Sequence, residues 1–167
     1  MNRAVFLDRD GVINKKVSIK DFVKNIDELV YLPNVKRIIA KIKQKKYITI
    51  IVSNQSGINR GIIKKENMEK INEKLRKDLG IDGIYYCPHL PDENCACRKP
   101  KTGLIEKAVK DLNIDVKSSW LVGDNDFDIE AGKAAGLKTI RVEGNIGLAQ
   151  IENRLDQLSK ENIVKEC

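Results

Sequence analysis

Short apolar runs alternate along this chain with stretches in which apolar residues recur every three or four positions. Ala4 to Leu7 is a run that stops at an acidic, glycine-containing cluster, the pattern of a buried strand followed by a turn. Between Pro33 and Lys46, Val35, Ile38, Ile39 and Ile42 share one helical face with lysines between them, and Pro33 suits the opening turn. Tyr47 to Val52 reads as a β-branched buried strand. From Lys64 to Leu79, Met68, Ile71, Leu75 and Leu79 line one helical face, and Gly80 is a natural stop. Further on, the pattern predicts strands at Gly83 to Tyr86, Trp120 to Val122 and Leu137 to Val142. Helices are expected at Thr102 to Leu112 and at Asp126 to Ala135, the latter closed by Gly136. The charged tail from Gln150 to Cys167 reads as a terminal helix that frays.

Strands alternating with helices of this length define an α/β fold, a Rossmann-like parallel sheet with helices on both faces. No repeat or Pro/Gly linker divides residues 1–167, so a single domain is expected. Ligands of such sheets bind beyond the carboxyl ends of the strands. The segments that fall there are Asp8 to Gly11 (DRDG), Ser53 to Gly57 (SNQSG), the Cys87 loop with Arg98 to Pro100, and Gly123 to Asp128 (GDNDFD).

Composition narrows the partners. The 167 residues are 41% apolar and 33% charged with a net charge of +7, a soluble globular balance whose surface favours anions. No apolar stretch approaches the roughly 18 residues of a membrane span, and Asp8, Arg9 and Asp10 interrupt any signal-peptide core, so the cytoplasm is expected. Nucleic acid is disfavoured, because aromatics are only 5% and the lysines are spread along helices as solvated faces.

Asp8 and Asp10, two apart at a strand end, share a face if the backbone stays extended. Two acids so placed need a cation or a shared proton, and Mg²⁺ held by both positions, a distant acid and a substrate phosphate would resolve the repulsion. Asp124 is the best distant acid. One carboxylate can attack phosphorus while its neighbour handles the leaving-group proton, and Ser53 and Lys99 can steady the transferred phosphoryl oxygens. Each motif alone has a plain reading: Asp-x-Asp-Gly as a turn, Ser53 as a cap, Lys99 as a solvated charge. Their order on successive strand ends is what points to chemistry.

Three of the four cysteines, Cys87, Cys95 and Cys97, flank His89, the chain's single histidine. Three thiolates and one imidazole saturate a tetrahedral Zn²⁺, so the ion would be structural and would brace Arg98 and Lys99, which follow directly.

On DRDGVIN, IIVSNQSG, CRKP and WLVGDNDFD the chain resembles the haloacid dehalogenase superfamily over residues 3 to about 142, without a large cap insertion. The resemblance implies Asp8 as nucleophile, Asp10 as general acid and then base, and Ser53 and Lys99 as phosphoryl stabilisers. It implies Mg²⁺ held by Asp8, the Asp10 carbonyl and Asp124, with Asp128 as a supporting acid or a helix start. SNQSGINRG and the metal loop narrow the resemblance to small zinc-loop phosphatases, in two branches. NQSGINRG, with Arg60, and RKPKTG resemble those acting on D-glycero-D-manno-heptose 1,7-bisphosphate. The five residues between His89 and Cys95 resemble the histidinol-phosphatase domains. Lys15 to Phe22 lacks the Gly-Tyr pair common in the heptose branch, and Asn125 stands where both branches often place a basic residue. The expected activity is Mg²⁺-dependent hydrolysis of a small sugar phosphate by a monomer, with the heptose 1,7-bisphosphate as the leading substrate. Arg60 and Arg98 are expected to meet charged parts of the substrate, and Asn14, Asn54, Gln55 and Ser56 to hydrogen-bond it. The alternatives are histidinol phosphate, a polynucleotide 3′-phosphate, or a zinc-braced scaffold without catalysis.

Overall fold

The computed structural model describes residues 1–17 and 22–155. Five strands, β1 (Arg3–Leu7), β2 (Tyr47–Asn54), β3 (Gly83–Cys87), β4 (Trp120–Gly123) and β5 (Lys138–Arg141), form one sheet in the order β3-β2-β1-β4-β5. Every pairing is parallel, with Leu7 opposite Ile51 on one side and Val122 on the other.

Alternation along the strands explains why both faces are covered. Val5, Leu7, Ile51 and Val122 point to one side and pack on Ile38, Ile39 and Ile42 of α1 (Val35–Gln44) and Ile71 and Leu75 of α2 (Lys65–Leu79). Ala4, Phe6, Ile50, Val52 and Leu121 point to the other. They meet Leu104, Ile105 and Ala108 of α3 (Gly103–Leu112) and Ala131 of α4 (Asp126–Ala134).

Apart from the terminal helix, the predicted elements are present, with boundary differences that have local causes. Pro33 does not open α1 as expected; the helix starts at Val35, after Asn34 in the left-handed region (φ 63°), a conformation asparagine tolerates. The tail does not begin as an α-helix. Gly147–Arg154 is 3₁₀, with Leu148 and Ile151 buried in the α1 side of the core. The remainder of that expected helix, residues 156–167, lies outside the described residues, as do positions 18–21 of the Lys15 to Phe22 segment.

The chain runs from β1 outward to β3, then returns to place β4 on the opposite side of β1. Connections therefore leave β1 and its neighbours in opposite directions, which opens a crevice beyond their carboxyl ends. Buried Ser119 fixes where β4 begins: its Oγ accepts from Ala4 N (2.9 Å) and donates to Asp115 O (2.6 Å). Ser119→Ala orphans both groups, and urea denaturation should show a loss of about 1–3 kcal/mol.

Candidate active site

Asp8 continues β1 by one residue, with its N–H donating to Val122 O at 3.0 Å. The chain then turns, and Arg9 O receives the N–H groups of Val12, Ile13 and Asn14. Gly11 sits at φ +93°, and a Cβ there would lie 2.3 Å from Asp124 Oδ2, so the turn and the β4 acid can meet only over a glycine. Asp8 and Asp10 come to line one cleft of about 270 Å³, together with Ser53, Asn54, Arg98 and Lys99.

A buried ammonium occupies the centre. Lys99 Nζ lies 2.9 Å from Asp8 Oδ1, 2.5 Å from Asp128 Oδ1 and 2.7 Å from Val52 O. Burial alone would discharge it, but the two carboxylates outweigh that cost and hold it charged. Asp8 is pushed up to about 7 by burial and by Asp128, against the pull of Lys99. Asp128 serves twice. It forms a reciprocal cap with Asn125 at the start of α4, and it reaches Lys99 because Gly123 has no Cβ to block it at 2.1 Å.

Asp10 has a different environment. Burial would raise its pKa, yet the Arg9 guanidinium and hydrogen bonds from Asn14 (2.8 Å) and Gln55 (2.7 Å) hold it below the usual carboxylate range. Arg9 is fully buried, and its Nη2 donates to both Asp10 and Gln55 Oε1. Gln55 Nε2 also donates to Ser53 Oγ at 2.7 Å. Asn54 clamps the Lys99 main chain, its Oδ1 accepting from Lys99 N (3.0 Å) and its Nδ2 donating to Lys99 O (3.1 Å). Of the expected substrate ligands, Gln55 and Asn54 thus spend their amides on the site itself, although Asn54 also lines the cleft, and Asn14 spends its Nδ2 there while its buried Oδ1 has no hydrogen-bond partner among the described residues. Ser56 is buried and Arg60 exposed in the following turn, and neither lines the cleft. Arg98 lines it, braced by Nη1 donating to His89 O at 3.1 Å.

Two cation positions fit the side chains present. Carboxylate oxygens of Asp8, Asp124 and Asp128 lie within 4.8 Å of one another, with the Lys99 ammonium among them. The three acids outnumber that lysine by two charges, a surplus suited to a divalent oxygen-loving ion. In the metal loop, Cys87, His89, Cys95 and Cys97 approach at 3.1 to 3.6 Å with their cysteines free. Tetrahedral Zn²⁺ with such ligands requires edges of about 3.5–3.8 Å, so the cage needs little expansion.

Sequence reasoning missed Arg9, Lys16, Phe127 and the apolar rim of Val17, Phe22 and Val23. Lys16 Nζ lies 2.5 Å from Asp124 Oδ2. Its sequence signal was adjacency to the DRDGVIN motif; for Phe127, it was an exposed aromatic inside an acidic segment.

Strand-end carboxylates around a buried lysine at the switch point of a parallel sheet define a haloacid-dehalogenase-like hydrolase. The HAD-hydrolase-like family model matches residues 96–163. A D-glycero-beta-D-manno-heptose-1,7-bisphosphate 7-phosphatase of Haemophilus ducreyi is 40% identical over 149 residues, covering 82% of this chain and 80% of that protein. The D-glycero-alpha-D-manno-heptose enzyme of Photorhabdus laumondii is 41% identical over 147 residues, covering 81% and 79%. The crystal structure of the D,D-heptose 1,7-bisphosphate phosphatase of B. bronchiseptica, complexed with magnesium and phosphate, superposes with a TM-score of 0.83 at 32% identity, covering 95% of this chain and 99% of that one. The chain belongs to the heptose-1,7-bisphosphate 7-phosphatase family of haloacid-dehalogenase-like hydrolases.

Removing the central ammonium leaves Asp8 and Asp128 facing each other without a counter-charge. Lys99→Met should lower the unfolding free energy at neutral pH by about 3–5 kcal/mol. Adding Asp128→Leu should recover part of that loss, both read by urea denaturation.

Proposed function

We propose that the protein hydrolyses the 7-phosphate of D-glycero-D-manno-heptose 1,7-bisphosphate through an aspartyl phosphate on Asp8. The observation that carries the reading is the pairing of two acids in one cleft, Asp8 bound to the Lys99 ammonium and Asp10 held ionised by Arg9, Asn14 and Gln55. Similarity at about 40% identity to 7-phosphatases of this sugar names the substrate.

An Asp8 oxygen forms a bond to phosphorus as the bond to the sugar oxygen breaks, and Asp10 transfers a proton to that leaving oxygen. The resting hydrogen bonds favour the ionised Asp10, so its acid role depends on the substrate dianion, whose charge raises the affinity of the adjacent carboxyl for a proton. Once the sugar alcohol has left, Asp10 takes a proton from water as the water attacks phosphorus, which releases phosphate and restores Asp8. Ser53 and Lys99 steady the phosphoryl oxygens, and Arg98 meets a charged or hydroxylated part of the sugar phosphate. Asp8, Asp124 and the Asp10 carbonyl would hold Mg²⁺, which supplies charge neutralisation at the phosphate.

Cys87, His89, Cys95 and Cys97 hold a structural Zn²⁺ in this reading and keep Arg98 at the cleft. The protein acts as a single-domain monomer, and its free thiols suit the reducing cytoplasm. Histidinol phosphate is the second reading, favoured by the five residues between His89 and Cys95.

Phosphate release with Mg²⁺ on both substrates tests the choice. We expect kcat/KM to favour the heptose bisphosphate about a hundredfold or more, and a preference for histidinol phosphate overturns the assignment. Asp8→Asn should lower kcat about 10⁴-fold or more; undiminished turnover would exclude the aspartyl phosphate. Elemental analysis should find one zinc per chain, and Cys95→Ser should lose it together with about 5 °C or more of Tm. A zinc-free wild type with unchanged Tm in the variant contradicts the structural ion.

A further inference from the structure

Lys16 is a charged group of the cleft that the proposed reaction does not use. Its main chain is anchored, with Lys16 N donating to Asn145 Oδ1 at 2.8 Å and Lys15 N to Val30 O at 2.8 Å. Its side chain is one-third exposed, lines the cleft, and places the ammonium 2.5 Å from an Asp124 carboxylate that is itself 2% exposed. The root is fixed, and the long flexible arm can turn.

Charge decides what the arm does. Asp8, Asp124 and Asp128 bring three negative charges, of which Lys99 balances one and Lys16 a second. A divalent ion among these oxygens completes the balance without Lys16, and the ammonium then faces a cation at close range, with Asp124 taken up by that ion. The cleft that its side chain already lines is where it can go. There Lys99 is held beside Asp8, where phosphoryl transfer takes place, Arg98 stands at the metal-loop side of the cleft, and Asn125, beside Asp124, carries no charge. An anionic substrate entering the cleft would meet the released ammonium.

We propose that Lys16 is a tethered stand-in for the divalent cation: it neutralises Asp124 in the metal-free protein, is displaced when the ion binds, and then turns to the second phosphate of the substrate. The last step rests on the heptose bisphosphate reading; the displacement does not. The structural role of Lys16 is small at one-third exposure, so Lys16→Met should fold, and Lys16→Arg keeps the charge as a control.

The deciding experiment counts free Mn²⁺ by electron paramagnetic resonance, with Mg²⁺ as competitor and no substrate. Lys16→Met should bind either ion about tenfold more tightly than the wild type, because a competing charge is gone, and Lys16→Arg should stay within about threefold of it. Equal or weaker binding by Lys16→Met overturns the displacement. At saturating Mg²⁺, KM for heptose 1,7-bisphosphate should rise about tenfold in Lys16→Met with kcat nearly unchanged, and be restored by arginine; an unchanged KM overturns the contact with the second phosphate. A wild type that releases no phosphate from that sugar defeats the functional reading alone, and the Mn²⁺ titration still decides the displacement.

Discussion

The site depends on one buried ammonium. Lys99 is 3% exposed and touches Asp8, Asp128 and the carbonyl of Val52, groups drawn from β1, the start of α4 and β2. A charge at that depth is tolerable only when fully paired, and two carboxylates at that depth are tolerable only around a cation. Each therefore holds the others in place. Asp128 must come under the end of β4, which requires Gly123; Lys99 must enter from the metal loop, where Asn54 grips its main chain on both sides. The energetic demand of pairing thus positions strand ends that the sheet alone would leave only roughly aligned.

The same economy explains the two acids of the DRDG turn. Asp8 faces a second carboxylate and loses water, so its proton affinity rises. Asp10, two residues on, meets a buried guanidinium and two amides, so its proton affinity falls. Opposite environments for neighbouring carboxyls separate their tasks, which is the usual way one type of side chain supplies two roles in one reaction.

Much of this was legible in the chain because period and position carry it. The uninterrupted apolar run of Ala4 to Leu7 marked a buried strand, and the helical spacing of Val35 to Ile42 and Met68 to Leu79 placed two of the covering helices. Asp8, Asp10, Ser53, Lys99 and Asp124 follow predicted strand ends, so their convergence followed from topology. What periodicity does not encode is where a polar side chain turns. Asn54 and Gln55 look like ligands in a linear reading, but buried amides seek partners and the nearest are the site's own groups, whereas Asn14 gives its Nδ2 to Asp10 and leaves its buried Oδ1 without a partner among the described residues. Pro33 and the tail misled for a related reason: residue propensity marks an end, and the actual cap is set by the one residue that tolerates the turn, here Asn34.

The metal loop shows the limit of spacing as a guide to substrate. A cage of three sulfurs and one imidazole constrains only its four ligand atoms, which already stand within 4.8 Å of one another, five of the six pairs at 3.1 to 3.6 Å. The residues between His89 and Cys95 pass through the 3₁₀ turn Pro91–Glu93 and are largely exposed, although Glu93 accepts from Asn59, and Leu90, Pro91 and Asn94 line a pocket beside Arg98. The SNQSG segment is strongly coupled to the cleft, because Gln55 contacts Asp10, Ser53 and Arg9 at once. Ser53, Asn54 and Gln55, whose side chains touch the cleft or the groups that line it, are bound more tightly to the reaction than a loop whose turn lies in solvent.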